Sequence, residues 1–279
     1  MRPAFTNFVR GRRAFTLVEL MVVVLIIAVL LALLMPALAT ARQRGRTVQC
    51  MNNHRNLVLA WRLYCDDHQG RMPWTVDDGD GLPFTNWVTG NLRNGLEATN
   101  AALLVDPKRS LLAPYASHPA LYKCPSDPSD YVRSISMNNR LNPVRFLKPV
   151  LVIGGYGTNY MVYRRESDIR EPSRIFVLLD ERYDSINEGN FAVDMSNTGT
   201  YEGHGIPTPY WWLDTPAAYH ENSVNISFAD GHVEKHRWQE RTTLGPIGVT
   251  GFRRTSSTDR DIAWLQYHTA EPVHPKHLP

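Results

Sequence analysis

An uncharged apolar segment near the start of the 279-residue sequence restricts the possible structures most. From Leu20 to Ala41 there are 22 residues without a charged side chain. About 20 apolar residues span a bilayer as a helix, and residues 20–35 are apolar on every helical face. Such a helix has to be buried in lipid or among similar helices. We therefore predict a transmembrane helix.

Three interpretations of this segment fit its hydropathy. The basic start, the apolar middle and Ala37-Leu38-Ala39 fit a secretory signal that is cut after the apolar stretch. A membrane anchor that is never cut is the second, and cleavage before the apolar stretch, after Ala14, is the third. Glu19 favours the third, because a carboxylate in an apolar helix costs roughly 3 kcal/mol. Cleavage would give Phe15 an α-amino group that could pair with Glu19 of a neighbouring subunit and fix the register of the two helices.

Residues 12–20, Arg-Arg-Ala-Phe-Thr-Leu-Val-Glu-Leu, resemble the cleavage and methylation signature of type IV prepilins and type II secretion pseudopilins. Ala14 stands where that family more often has glycine. The resemblance implies cleavage between Ala14 and Phe15 by a prepilin peptidase/methyltransferase, N-methylation of Phe15, and Glu19 as the assembly carboxylate. It also implies that Pro36 kinks or locally melts the helix.

The chain beyond the anchor is expected to form an α+β head in which the long helix packs on an antiparallel sheet. Cys50, Leu57 and Tyr64 recur at helical spacing, which predicts a core-facing stripe on a helix that ends near residues 66–70. Further expected elements are a short helix over 103–115, strands over 150–153, 158–163 and 174–179, and an ordered piece over 259–266. The predicted segments are a leader (1–14), a transmembrane helix (15–41), an amphipathic helix (42–68), a globular α+β head (69–238), and a C-terminal extension (239–279) with a loose tail from Glu271.

Residues 224–236 predict a β-hairpin around Asp230-Gly231, which is a strong signal for a two-residue turn. That turn would place Phe228 opposite Val233. His220 precedes Asp230 with nine residues between them, and this spacing resembles a C-terminal mark of many prepilin-processed proteins. We predict that His220 and Asp230 fix the turn through hydrogen bonds, with Gly231 in the turn itself.

Three cysteines, Cys50, Cys65 and Cys124, cannot all pair within one chain. A Cys50–Cys124 disulfide and three reduced thiols both remain open. No set of metal ligands is apparent from spacing, so we predict no metal and no cofactor. The one exception we consider is a calcium site, either at the acidic loop over 77–80 or in the head. The candidate ligands in the head are Asp180, Glu181, His220 and Asp230.

The remaining function classes find little support in the sequence. The net charge is only +3, so no nucleic-acid partner is indicated. The sequence contains no nucleophile, phosphate-loop or paired-carboxylate motif that would predict an enzyme.

We expect a structural subunit of a membrane-anchored fibre or type II secretion-like system. The resemblance implies a single-pass protein of the bacterial inner membrane, with the leader in the cytoplasm, the head outside, and pilin-like subunits as partners. The alternative is a fibre-tip or surface-displayed module that binds extracellular polymer or secreted cargo, for which Trp74, Trp87, Trp211 and Trp212 are the aromatic candidates.

Overall fold

The computed structural model of the chain describes residues 16–75, 86–143, 160–195, 199–201, 204–206, 211–245, 253–254, 256 and 258–273. The chain divides into two compact units, residues 1–45 and 46–279, which we call the N-terminal and C-terminal units. The first helix, α1 (Leu17–Asp67), contributes its beginning to the N-terminal unit and the rest to the C-terminal unit.

The described part of the N-terminal unit is mainly the apolar part of α1. Every residue from 16 to 42 is exposed, and among the described residues α1 is the one helix long and apolar enough to cross a bilayer. The helix continues through Pro36, and the Thr40 hydroxyl donates a hydrogen bond to the Pro36 carbonyl at 3.1 Å. The predicted kink at Pro36 stays a prediction.

The C-terminal part of α1 buries the stripe that its periodicity predicts. Cys50, Leu57 and Trp61 are fully buried and Tyr64 is nearly so. The helix ends as predicted, where Gly70, at φ +76°, donates its N–H to the Cys65 carbonyl at 2.7 Å. A glycine in the left-handed region is a common helix terminator because it satisfies carbonyls left unpaired by the helix.

Within the described residues, nine strands follow α1, most of them short. They are β1 (Ile135–Asn138), β2 (Phe176–Asp180), β3 (Asn190–Phe191), β4 (Gly199–Tyr201), β5 (His204–Ile206), β6 (Trp211–Trp212), β7 (Ser223–Phe228), β8 (Val233–Arg237) and β9 (Arg253–Arg254). The central sheet has the order β3-β1-β2-β7-β8, and β4-β5 and β6-β9 form two-stranded ladders. The apolar run over 174–179 is confirmed as a central strand, since all five residues of β2 are buried.

The central sheet is antiparallel, as predicted, in every pairing but one, so that as a whole it is mixed. Neighbouring strands run antiparallel except β1 and β3, where Met137 pairs with Asn190 in parallel. After β2 the chain turns back and adds β3 on the far side of β1. Because β2 is antiparallel to β1 and the chain reverses direction after β2, β3 lies parallel to β1.

The β7–β8 hairpin is present, but its register differs by one residue from the prediction. Ser227 lies opposite Val233, where a two-residue turn would place Phe228. The loop has three residues: the Phe228 N–H donates to the His232 carbonyl at 3.0 Å, and the Gly231 N–H donates to the Phe228 carbonyl at 2.9 Å. Gly231 has φ +95°, as expected for the last residue of a three-residue hairpin loop.

The predicted α-helix over 103–115 is wrong, because only a 3-10 turn, Ala101–Val105, forms there. Pro107 disfavours helical geometry at Asp106, which is extended at φ −78°, ψ 109°. The Asp106 side chain then accepts a hydrogen bond from the Lys108 N–H at 2.9 Å. The other short helical pieces are α2 (Gly95–Ala98) and the 3-10 turns Pro119–Tyr122 and Glu166–Asp168.

Two further strand predictions have different outcomes. Residues 150–153 lie outside the described residues. Of the predicted strand over 158–163, Tyr160 and Tyr163 form only isolated bridges, to Pro272 and Leu141.

The C-terminal extension belongs to the core of the C-terminal unit. It forms α3 (Arg260–Thr269), capped by Asp259, whose carboxylate accepts the N–H groups of Asp261 and Ile262. Ile262 and Leu265 are fully buried. Glu271 is only 2% exposed and its carboxylate accepts a hydrogen bond from the Glu171 N–H, so the loose tail predicted from Glu271 is wrong at its start.

Candidate functional site

The first turn of α1 holds the acidic residue that the sequence singles out. Thr16 precedes the helix, and its N–H and hydroxyl donate hydrogen bonds to Glu19 Oε2 at 2.8 and 2.7 Å. The Glu19 N–H in turn donates to the Thr16 hydroxyl at 3.2 Å. This reciprocal arrangement is a capping box, which satisfies N–H groups that a helix start leaves unpaired. The Thr-x-x-Glu spacing could have been read from the sequence as a capping box.

Glu19 is also the sole charged residue between residues 16 and 41. Its side chain is exposed, as are the apolar side chains that follow it. A carboxylate at the start of an exposed apolar helix is available to a positive group from another molecule. The predicted cleavage and methylation residues, Ala14 and Phe15, lie outside the described residues.

A second group of reactive side chains lies in the C-terminal unit, around His220. The cluster consists of Cys50 on α1, Cys124 just after the 3-10 turn Pro119–Tyr122, Asp180 at the end of β2, and His220 in the turn before β7. All four are at most 1% exposed. Each contributes one nitrogen, sulfur or oxygen atom to a group in which these atoms all lie within 4.8 Å of one another. We call these four residues the Cys/His/Asp cluster.

The shortest contacts within the cluster are hydrogen-bond distances. The Cys50 thiol donates to Asp180 Oδ2 at 3.0 Å, and Cys124 Sγ lies 3.2 Å from His220 Nε2. His220 Nε2 is 4.0 Å from Asp180 Oδ2. Burial, with the nearby Cys124 and Asp180, raises the pKa of the Cys50 thiol well above its usual value. Burial also lowers the pKa of His220, which Asp180 partly offsets.

Cys50 and Cys124, the pair considered for a disulfide, do come together, but both are free thiols, as is Cys65. The thiol of Cys50 is engaged by Asp180 and the sulfur of Cys124 faces His220. The structure therefore brings Cys50 and Cys124 together as free thiols, which is the second of the two alternatives left open by the sequence.

His220 and Asp230 do not cooperate in the hairpin turn, so that part of the prediction is wrong. Asp230 Oδ1 accepts the His232 N–H at 3.0 Å and also contacts the His232 ring, which fixes the turn locally. Gly231 occupies the turn as predicted. His220 instead points into the Cys/His/Asp cluster, because β7 (Ser223–Phe228) lies between His220 and Asp230 and separates them by the length of the strand.

The four residues considered for calcium do not form one ligand set within the described part of the chain. Asp180 and His220 meet, whereas Glu181 accepts a hydrogen bond from the Ser185 hydroxyl at 2.9 Å and Asp230 stays in the hairpin turn. Burial raises the pKa of Glu181 well above its usual value, and the Asp214 carboxylate adds to this shift. The acidic loop over 77–80 lies outside the described residues.

The aromatic residues considered for polymer binding are partly accounted for by packing. Trp87 is fully buried and its indole N–H donates to the Gly189 carbonyl at 2.8 Å. Trp212 is 2% exposed. Neither ring can stack on an external ligand in this conformation.

Comparison with known families connects the N-terminal features to one signature. Residues 9–35 match the family model described as the prokaryotic N-terminal methylation motif. Comparisons with curated proteins and with solved structures gave no significant match. The matched residues include Glu19 and most of the apolar part of α1, in agreement with the resemblance drawn from residues 12–20. The chain thus carries the prepilin and pseudopilin signature at the start of a long apolar helix that continues into an α+β C-terminal unit.

Proposed function

We propose that this chain is a pilin-like structural subunit of a membrane-anchored fibre or of a type II secretion-like pseudopilus. The observation that carries the proposal is the methylation motif at residues 9–35, which extends into the exposed apolar part of α1, where Glu19 is the single charged residue up to residue 41. A prepilin peptidase/methyltransferase removes the leader after Ala14 and methylates Phe15. The helix then anchors the subunit in the inner membrane, with the C-terminal unit outside the cytoplasm.

Assembly follows from two properties of α1, namely the apolar surface of its N-terminal part and the single charge of Glu19 within that part. Apolar helices that leave the lipid can bury their side chains against each other, which keeps the fibre core dry. In such a core two opposite charges attract far more strongly than in water. The Glu19 carboxylate of one subunit therefore pairs with the α-amino group of Phe15 in a neighbour, and this pair fixes the axial register. The function is mechanical and requires no catalytic residue.

Mass spectrometry of the N-terminus of the chain, purified from membranes, tests the processing step. We expect the first residue to be Phe15 with a methyl group on its nitrogen. An N-terminus at Thr40 would identify an ordinary secretory signal and would contradict the proposal. An uncut, unmethylated N-terminus would contradict it as well.

The capping box permits a sharper test of the role of Glu19. Glutamine at the same position can still cap the first turn, but it carries no charge. In Glu19→Gln we expect normal cleavage, while subunit-to-subunit cross-links from a photo-reactive residue at Leu30 fall by at least about tenfold, the loss expected from about 1.4 kcal/mol of pairing energy. Glu19→Ala serves as the control that loses both cap and charge. Cross-linking of Glu19→Gln at the wild-type level would show that Glu19 is only a cap.

A further inference from the structure

We propose that the Cys/His/Asp cluster binds one zinc ion, with Cys50 Sγ, Cys124 Sγ, Asp180 Oδ2 and His220 Nε2 as its four ligands. The ligand types are those that zinc takes in proteins, and four of them close a tetrahedral structural site. Two thiolates favour zinc over calcium or magnesium, which prefer oxygen ligands. This site belongs to the C-terminal unit and does not depend on the proposed assembly of α1.

The distances fit this geometry. Around a tetrahedral zinc ion the ligand atoms lie about 3.3–3.8 Å apart, given Zn–S near 2.3 Å and Zn–N or Zn–O near 2.0 Å. The measured separations include 3.0 Å between Cys50 and Asp180, 3.2 Å between Cys124 and His220, and 4.0 Å between His220 and Asp180. Shifts of under about 1 Å in these three separations would bring them to coordination geometry.

Outer hydrogen bonds orient two of the four ligands, His220 and Asp180, so that Nε2 and Oδ2 face the other members of the cluster. Thr47 Oγ1 lies 3.1 Å from His220 Nδ1, so a proton on Nδ1 leaves the Nε2 lone pair facing Cys124. The Ser134 hydroxyl donates to Asp180 Oδ1 at 3.4 Å, which leaves Oδ2 for the ion. Such outer contacts orient ligands and fix the histidine tautomer at zinc sites.

The sulfur of Cys124 has a donor suited to a thiolate. The Ser126 N–H points at Cys124 Sγ from 3.4 Å, two residues along the chain. An N–H directed at a sulfur stabilises its negative charge. Pro125 between them restricts the backbone at this turn and helps to hold the N–H in place.

The charge balance of the cluster also points to a cation. Within the described residues Asp180 forms no ion pair with lysine or arginine, although it is 1% exposed. His54 is fully buried beside it, with Nε2 3.5 Å from Asp180 Oδ2 and neither ring nitrogen in a hydrogen bond. A buried carboxylate is costly unless it is paired or coordinates a metal. A zinc ion would satisfy Asp180, and a slight rotation would let His54 donate to its carboxylate as an outer contact.

A surface pocket borders the cluster on the Cys124 side. A surface pocket of about 320 Å³ is lined by Cys124 together with Gln49, Lys123 and Asp127. Asp127 is largely buried there, and burial raises the pKa of its carboxyl group. Cys124, although fully buried, is therefore the cluster residue that borders this pocket.

Bound zinc would tie together four segments that are far apart in the sequence, at residues 50, 124, 180 and 220. A metal that binds only the folded arrangement contributes its binding free energy to folding. The site would thus cross-link the C-terminal part of α1 to the sheet of the C-terminal unit and stabilise the fold. It also gives His220 a role in the motif it forms with Asp230-Gly231.

Metal analysis of the full chain in detergent, purified without chelator or reductant, tests this proposal. We expect about one zinc per chain, three thiols that react with an alkylating agent after denaturation, and a lower Tm after chelation. Substitution with Co²⁺ should give the visible absorption of a tetrahedral thiolate site. Cys124→Ser, Asp180→Asn and His220→Gln should lose the zinc, whereas Thr47→Val should weaken zinc binding by about 10–100-fold.

The matched control is Cys65→Ser, which removes another buried cysteine of α1 that lies outside the cluster. This variant should keep its zinc. The proposal is overturned if the wild-type chain takes up no zinc, or if Cys65→Ser loses zinc as fully as Cys124→Ser. It is also overturned if only one thiol can be alkylated, because any disulfide among the three cysteines would remove at least one of the zinc ligands Cys50 and Cys124. The Co²⁺ spectrum of the wild type keeps the test informative if a variant fails to fold.

Discussion

Gly189 is held in a backbone conformation and a packing environment that no larger residue fits. Its φ is +102°, and a Cβ atom there would lie 2.8 Å from Val88 Cγ1 and 3.2 Å from Trp87 Nε1. We expect Gly189→Ala to lower the free energy of unfolding by about 2–4 kcal/mol, from left-handed strain together with overpacking. Urea unfolding would measure the change. Gly95→Ala is the control, because nothing lies within 4 Å of a Cβ atom at Gly95; an equal loss in both variants would contradict the argument.

Thr16 is the other residue whose local role can be isolated. Its hydroxyl accepts the Glu19 N–H, and both its polar groups contact the Glu19 carboxylate. We expect Thr16→Ala to destabilise the first turn of α1 by about 1 kcal/mol, the usual loss of helix stability when an N-cap residue is replaced by alanine. The first turn should then fray. Hydrogen–deuterium exchange of the detergent-solubilised chain would show faster exchange in residues 17–20 and unchanged exchange beyond them. Faster exchange along the whole apolar helix would point instead to a change in its packing.

The contact between α3 and β8 joins two histidines through one indole ring. His236 stacks on Trp264 with ring centroids 3.6 Å apart, and His268 lies 4.1 Å from the same ring. Burial lowers the pKa of each histidine to about 4, and for His236 the neighbouring His268 adds to the effect. His268 Nδ1 lies 2.7 Å from the Arg174 carbonyl, and this hydrogen bond opposes part of the shift at His268. The folded state therefore favours the neutral form of both rings.

This interface should make the protein sensitive to mild acid. The unfolded chain binds protons at these histidines near pH 6.5, whereas the folded chain does so only near pH 4. Stability should fall as the pH drops from 6.5 to 4, by on the order of 2 kcal/mol per histidine after partial exposure is allowed for. Unfolding followed by tryptophan fluorescence at several pH values would measure this. His236→Phe should flatten part of the slope, and the exposed His118→Gln should not; an unchanged slope in His236→Phe would contradict the assignment.

Across the whole molecule, the sequence predicts local patterns better than meetings between distant segments. The buried stripe of α1 and the central strand β2 follow from apolar periodicity, which reports burial directly. The predicted register of the β7–β8 hairpin is wrong by one residue, because an Asp-Gly pair occurs in both two-residue and three-residue hairpin loops. The Cys/His/Asp cluster leaves no spacing signal, since its ligands come from four separate segments. Asp180 and His220, for example, come together only when β2 and β7 pair.

The separation into two units makes a prediction about the whole chain. The first fully buried residue of α1 is Cys50, and residues 16–42 are all exposed. Removing residues 1–45 should therefore delete no core contact, and a chain of residues 46–279 should fold as a soluble protein that no longer partitions into detergent. A shorter chain that begins at Leu59 would lose Leu57, which is fully buried. Loss of that side chain alone costs about 2–5 kcal/mol, so the shorter chain should be unfolded or insoluble. Size-exclusion chromatography and circular dichroism would distinguish the two, and insolubility of both would show that the apolar helix is needed for folding.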